Sequence, residues 1–413
     1  MRSIYSLSVK IAWYGLLLIA KFHSKIKLFV AGRKATFKRL EGSIQPSWKT
    51  VWVHAASLGE YEQGLPLVER LKKQFADHKI LLTFFSPSGY EVKKDSTPAD
   101  LVTYLPLDTA GNASRFLEVV QPELAVFIKY EVWPNYLVEL KKRNIPTLLV
   151  SGIFKERQAY FQWYGTLLRQ SLRHFNHFFV QDEKSRILLK QLGFENVTVS
   201  GDTRFDRVAQ ILERDNRMPL IASFKEGFPC LVAGSTWPED EKVLLPFINT
   251  TRAKVKFIIA PHTIKRNAIQ RLQGAISGET LLYSELETAA QSLTSAEVLI
   301  IDNVGLLTKI YSYADIAFVG GGFATGLHNT LEPAVFGIPV IIGPNYSNFA
   351  EASELVQKNG IFPVRTPEEF NRKVTEMLNY SELAQRTGAI NASYIRKKVG
   401  ATNMIMEYIT EII

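Results

Sequence analysis

Three charged side chains and one glycine loop carry the chemistry this sequence could perform. Glu60 stands in SLGEYEQG, after an apolar run and before an amphipathic stretch. A carboxylate at such a junction either makes a favourable contact with a helix dipole or, in a cleft, takes a proton from a substrate hydroxyl as a general base. Glu131 in KYEVWPN offers a similar pair of readings. It is an acidic cap ahead of Pro134, which suits the first turn of a helix, or a second carboxylate that orients the base or the acceptor. Arg204 in GDTRFDR is a surface ion pair or a cation for a phosphate or carboxylate.

The glycine loop lies in DIAFVGGGFATGLHNTLEP. Gly320, Gly321, Gly322 and then Gly326 separate a strand at 315–319 from a helix expected to begin near His328 and Asn329 and to reach Phe336. Glycines there let a ligand approach the backbone, and the free N–H groups of the helix then favour an anion. The same glycines would equally serve a tight turn with no ligand.

Several chemistries are excluded by pattern. Thr325 stands between Ala324 and Gly326, which breaks the dinucleotide fingerprint G-x-G-x-x-G. Gly59 and Gly64 have the spacing of a nucleotide P-loop, but Leu65 follows where lysine is required. There is no D-x-D, no H-x-x-x-H and no G-x-S-x-G elbow, so neither a metal site nor a serine nucleophile is expected. His54, His262 and His328 are so far apart in sequence that only the tertiary fold could bring them together.

These residues need elements to hold them. Short apolar runs at 51–54, 80–85, 101–105, 124–128, 147–151, 177–180 and 197–200 alternate with amphipathic stretches at 63–75, 113–120, 134–143, 160–175 and 184–192. That alternation predicts an α/β fold, a parallel sheet covered on both faces. A second alternation has strands at 231–234, 256–260, 280–283, 297–301, 316–319 and 340–342. Its helices are expected to start near Pro238, Lys265, Gly305, Asn329 and Ala352. Two doubly wound, Rossmann-like domains follow: residues 41–206 and residues 229–380, with a polar link at 207–228. Helices over 381–413 are expected to cross back to the first domain. Candidate residues fall at predicted strand ends, where ligands sit in such sheets.

Composition narrows the setting. The chain has 413 residues and a hydrophobic share of 46%, enough for ordinary globular cores in two domains. Its single cysteine, Cys230, rules out an internal disulfide framework and fits a reducing compartment. The formal net charge of +9 is carried wholly by residues 1–40, which hold nine Lys or Arg and no acid. This is one basic end rather than the spread-out surface of a nucleic-acid binder. The basic residues surround the apolar run IAWYGLLLIA at 11–20, too short and interrupted for an ordinary span. The first expectation is a helix lying in an anionic membrane surface on its cytoplasmic side; a marginal span and an amphipathic helix packed on the domain are the alternatives.

Taken together, VWVHAASLGE (51–60), KYEVWPN (129–135), GDTRFD (201–206), AGST (233–236), APH (260–262), FVGGGFATGLHNTLEPA (318–334) and GPNYSNF (343–349) resemble the 3-deoxy-D-manno-oct-2-ulosonic acid (Kdo) transferases of lipopolysaccharide synthesis. The resemblance covers most of the chain. It implies a GT-B fold, with two Rossmann-like domains facing a central cleft. It implies inverting transfer of Kdo from CMP-Kdo to a hydroxyl of the lipid A precursor at the cytoplasmic face of a bacterial inner membrane. No metal or other cofactor is implied, and no protein partner is indicated.

By resemblance Glu60 is the general base, Glu131 the acid of the E-x-W-P-N motif, and Arg204 the cation that steadies the departing nucleotide. CMP contacts are implied for Ser235, Pro261 and His262, for Val304, Gly305 and Leu306, for Gly321 and Gly322, and for Asn329, Thr330, Leu331 and Glu332. The sequence departs from the family pattern at four places. Arg204 stands for lysine, APH for PRH, VGLL lacks the acid of GEL, and Leu327 replaces a glycine in GGHN. Two other readings remain. One is a different GT-B nucleotide-sugar enzyme, such as a UDP-sugar transferase or epimerase. The other is a non-catalytic nucleotide-responsive membrane protein.

Overall fold

The computed structural model describes residues 2–286, 293–324 and 326–413. By its contacts the chain divides into two units, Met1–Arg207 with Lys398–Ile413, and Val208–Lys397.

The first unit is built on seven parallel strands: β1 (Lys49–Ala55), β2 (His78–Phe84), β3 (Leu101–Tyr104), β4 (Pro122–Ile128), β5 (Thr147–Gly152), β6 (His177–Val180) and β7 (Val197–Val199). Their order across the sheet is β3-β2-β1-β4-β5-β6-β7. Both faces are buried, so successive side chains feed different cores. Trp52, Ala125 and Phe127 join one cluster, while Val51, Val53, Val126 and Ile128 join the other. The chain winds outward from β1 to β3 and then restarts beside β1 with β4. That reversal opens a crevice outside the carboxyl ends of β1 and β4.

The second unit repeats the plan with β8 (Cys230–Thr236), β9 (Lys256–Pro261), β10 (Thr280–Leu282), β11 (Val298–Ile300), β12 (Ile316–Val319), β13 (Val340–Ile342) and β14 (Ile361–Pro363). The order is β10-β11-β9-β8-β12-β13-β14, and the reversal falls between β8 and β12. Cys230 is buried, and burial pushes its thiol up to about 12, so it behaves as a core residue.

Two helices precede the first sheet, α1 (Arg2–Ile19) and α2 (Ser24–Ser43). Arg33 anchors α2: its guanidinium lies 3.6 Å from the Phe29 ring centre and donates to the Phe85 carbonyl at 2.7 Å. No residue of α1 is buried. Ile4, Leu7, Ile11, Tyr14 and Leu18, spaced three or four apart, form an exposed apolar stripe along it. No helix of the described residues is long and apolar enough to cross a membrane. Polar contacts tie the start of α1 to the sheet. Tyr5 bonds to the Asp108 carboxylate, and Asn135 Nδ2 donates to Ser6 Oγ at 3.1 Å.

Asp108 is 1% exposed and also accepts from the backbone N–H groups of Asn135 and Tyr136. Burial nevertheless dominates and pushes its carboxyl up to about 6. The folded form therefore holds this proton more tightly than the unfolded chain does. Its contribution is fully present below about pH 4 and is lost as pH rises through about 6, on the order of 3 kcal/mol in all. The expected result is that Asp108→Asn flattens the stability–pH curve between pH 4 and 6, measured by urea midpoints. An unchanged slope would remove Asp108 as its source.

The last helix, Ala401–Ile412, belongs to the first unit. Asp206 caps it, accepting from the N–H groups of Gly400 and Thr402 at 2.7 Å each. Ile405, Met406 and Ile409 then enter the core that holds Leu67, Val68 and Leu71 of α3 (Leu58–Gln74). Part of the GDTRFD motif thus serves to bind the chain terminus.

Several local expectations are corrected. The helix expected over 160–175 is broken into a turn at Ala159–Phe161 and a helix at Thr166–Leu172, because Arg169 clamps the carbonyls of Tyr160 and Gln162 between them. The helix expected from His328 to Phe336 is only the turn Leu331–Ala334. Strand β14 lies outside the expected set.

Candidate functional site

Glu60 and Glu131 lie in the loops that leave β1 and β4, the two strands flanking the reversal of the first sheet. Glu60 falls in the first turn of α3, which begins earlier than the sequence suggested. The Ser57 hydroxyl donates to its Oε2. Both carboxylates act on one group: with burial as the first cause, Glu60 and Glu131 push the Tyr130 hydroxyl above its ordinary range.

Glu131 is held from behind. Trp133 Nε1 donates to its Oε2 at 3.1 Å, and His54 Nε2 stands 3.5 Å from the same oxygen. Lys129, two residues before it, has φ +73, a left-handed conformation that non-glycine residues adopt at a cost. The chain leaves β4 through this bend.

Arg204 follows β7, at the edge of the sheet. Its Nε and Nη2 meet Asp202 Oδ2 at 2.8 and 2.7 Å. The neighbouring Thr203 hydroxyl donates to the Gln63 carbonyl, one turn into the helix that carries Glu60. The ion pair foreseen as one reading of Arg204 is present, and its side chain remains about a third exposed.

In the second unit the loops after β8, β9 and β12 converge. Ser235, next to last in β8, bends the strand with φ +55, and a Cβ on Gly320 would meet its carbonyl oxygen at 2.4 Å. Trp237 follows, stacked on His262 at 4.4 Å, and His262 stacks in turn on His328 at 4.7 Å. Trp237 Nε1 donates to His328 Nε2 at 3.0 Å. An indole nitrogen can only donate, so this bond makes His328 Nε2 an acceptor and leaves the proton of the neutral ring on Nδ1. Burial, followed by the charge of His262, lowers the His328 pKa and favours that neutral ring. Trp237 and His328, joined edge to edge, are thus both stacked on His262, a slab whose exposed His262 ring suits a base or sugar face.

The glycine loop is pinned from below. The buried Asp240 accepts from the N–H groups of Trp237 and Gly321 at 2.8 Å each. Gly322 packs against the backbone of Gly343, where a Cβ would come within 2.8 Å. The absence of a side chain at Gly322 is needed for this close packing. Thr325 lies outside the described residues. With only one helical turn after the loop, a helix dipole adds little; an anion here would depend on individual N–H groups.

The remaining predicted contacts divide. Glu332 accepts from Asn329 Nδ2 at 3.0 Å and from Thr308 Oγ1 at 3.1 Å, which fixes its carboxylate near the loop. Val304 is 86% exposed, and beside it Gly305 takes φ +84, while Leu306 precedes the short helix Leu307–Ile310. Thr330 and Leu331 are buried, so their side chains serve the core and only their backbone can face a ligand. Pro261 is the buried last residue of β9. Among the described residues no group of three or more His, Cys, Asp or Glu side chains is placed to hold a metal ion.

Sequence reasoning missed His54, Trp133, Trp237 and Asp240 as parts of these sites. It also left the meeting of His262 and His328 to chance. The available signal was position: each lies at, or one turn beyond, the carboxyl end of a strand flanking a reversal.

Two Rossmann-like parallel sheets in one chain, each with polar residues gathered at its reversal, have the architecture of the GT-B fold. The fold agrees with that of UDP-GlcNAc 2-epimerase from Neisseria meningitidis bound to UDP-GlcNAc, at TM-score 0.60 and 16% identity, covering 88% of this chain and 100% of that one. The family model for 3-deoxy-D-manno-octulosonic-acid transferase (kdotransferase) matches residues 30–207. The 3-deoxy-D-manno-octulosonic acid transferase of Haemophilus influenzae is 29% identical over 378 residues, 88% of this chain and 87% of that protein. The protein of the same name from Aquifex aeolicus is 28% identical over 375 residues, 88% of this chain and 95% of that protein. The chain is thus similar to 3-deoxy-D-manno-octulosonic acid transferases over 88% of its length.

Proposed function

We propose that this chain is an inverting glycosyltransferase that moves Kdo from CMP-Kdo to a hydroxyl of the lipid A precursor. The observation that carries the chemistry is the placement of Glu60 and Glu131 in the loops that leave β1 and β4, the two strands flanking the reversal of the first sheet. In this reading the acceptor hydroxyl attacks the anomeric carbon of Kdo, and Glu60 takes its proton. The bond from that carbon to the CMP phosphate oxygen breaks, with oxocarbenium character, and the electron pair leaves with CMP. Glu131 orients the acceptor. The Trp237–His262–His328 slab and the backbone of the Gly320–Gly322 loop take the nucleotide, and Arg204 steadies charge as it departs. No metal enters this scheme.

The apolar stripe of α1, flanked by Lys10, Lys21, Lys25 and Lys27, supports a helix lying on an anionic lipid surface. We place that surface at the cytoplasmic face of the inner membrane, where the lipid acceptor would be met.

One assay tests the scheme. CMP-Kdo and tetraacylated precursor are supplied with excess chelator, the precursor in anionic vesicles or dispersed in detergent. Kdo-lipid should form, CMP should compete and UDP should not. High salt should slow the vesicle reaction and spare the detergent one. CMP binding without product would sink the acceptor; competition by UDP alone would favour a UDP-sugar enzyme. Equal salt effects in both arms would sink the surface role of α1.

A further inference from the structure

We propose that His54 is a positioning residue for Glu131, locked in its Nε2–H tautomer by the Thr83 hydroxyl so that Glu131 presents a single free oxygen to the acceptor. The inference rests on the role of Glu131 proposed above. His54 is fully buried at the end of β1, with Phe127 and Trp133 edge-on at 5.8 and 6.0 Å between ring centres. The ring has no room to turn over.

The tautomer is assigned from the distances around the Thr83 hydroxyl, which can accept twice and donate once. Trp52 Nε1 donates to Thr83 Oγ1 at 2.8 Å, and an indole N–H cannot do otherwise. The Thr83 hydroxyl has one proton of its own. Its candidate acceptors are His54 Nδ1 at 2.8 Å and the Val53 carbonyl at 3.5 Å. The shorter contact takes the proton. Nδ1 is then an acceptor, and the ring proton sits on Nε2, 3.5 Å from Glu131 Oε2. Among the described residues Nε2, although buried, makes no hydrogen bond of ordinary length, and Glu131 Oε2 at 3.5 Å is an acceptor within its reach once the side chain closes by a few tenths of an ångström.

The consequence is an asymmetric carboxylate. Oε2 accepts from Trp133 Nε1 at 3.1 Å and has His54 Nε2 beside it at 3.5 Å. Among the described residues no donor is assigned to Oε1. An acceptor hydroxyl would find one defined lone-pair direction instead of a carboxylate free to swing. Misplacing an orienting group by about 1 Å can cost roughly 100-fold in rate.

Two substitutions separate positioning from packing. In His54→Gln the amide nitrogen falls where Nε2 stands and can still donate to Glu131. In His54→Asn the amide nitrogen falls where Nδ1 stands and cannot reach. The full chain is assayed for kcat and for KM of CMP-Kdo, with thermal midpoints for each variant. His54→Asn should lose roughly 30-fold or more in kcat with the donor KM unchanged, while His54→Gln stays within about threefold. Equal losses in both variants, or full turnover in His54→Asn, would overturn the proposal. Nitrogen-15 histidine spectra of the unmodified chain give a reading independent of turnover, the His54 signals being those absent from His54→Gln. An Nδ1–H tautomer would also overturn it. If the Nε2–H tautomer is found but Glu131→Gln turns over normally, the proposed role of Glu131 fails and the positioning role falls with it.

Discussion

Glu60→Gln is expected to lower kcat by about 10²–10⁴-fold, the usual worth of a positioned general base. The argument is one of protons rather than shape. The substituted amide would keep the side-chain length, and its oxygen would still accept from the Ser57 hydroxyl, which now donates to Glu60 Oε2. What an amide cannot do is receive the acceptor proton. CMP affinity should not change, because Glu60 lies in the first unit and the residues proposed to hold CMP lie in the second. The stability cost should be only the lost contact with the start of α3, about 0.3–1 kcal/mol.

The measurement is steady-state transfer from CMP-Kdo, with calorimetric CMP binding and a thermal midpoint on the same preparation. A rate within threefold of the unmodified chain would reduce Glu60 to the dipole contact that its sequence position also allows. Ser57→Ala serves as comparison. It removes the donor that fixes Oε2 but leaves the base, so its loss should be much smaller, about tenfold or less.

The two sheets were legible in the sequence because a parallel strand buried on both faces must be apolar at nearly every position. TVWVH and KFIIAP can be little else. The carboxylates were legible for a related reason: Glu60 and Glu131 interrupt the chain just where such strands end. His54 was not legible as a partner of Glu131. It sits within an apolar strand, and the hydroxyl that orients it comes from β2, 29 positions away. The ring stack was hidden in the same way, since Trp237, His262 and His328 follow three different strands. The long helix expected after the glycine loop failed for a local reason. HNTLEPAVFG has helical spacing of its apolar residues, but Pro333 and Gly337 leave room for little more than one turn.

That short turn makes the shape of the loop matter more than any dipole, and Gly321→Ala should show it. Gly321 has φ +89, and a Cβ there would lie 2.2 Å from the Gly326 carbonyl oxygen and 3.0 Å from His328 Cδ2. Backbone strain of about 1–3 kcal/mol is then joined by a clash with backbone that has little freedom to yield. Asp240 holds the Gly321 N–H, and Gly326 N donates back to the Gly321 carbonyl at 3.1 Å. The loop must open to admit the methyl group, and His328 must leave the stack. Closing it again on the nucleotide would cost about 3 kcal/mol, seen as roughly 100-fold weaker CMP binding. Gly227→Ala separates the two contributions. Gly227 has φ +78 but nothing within 4 Å of its Cβ position, so that variant carries strain without a clash, far along the chain from the loop. It should lose about 1 kcal/mol of stability and bind CMP as before. Calorimetric titration of both variants with CMP decides the matter: equal affinities in the two would mean that the Gly320–Gly322 loop takes no part in holding the nucleotide.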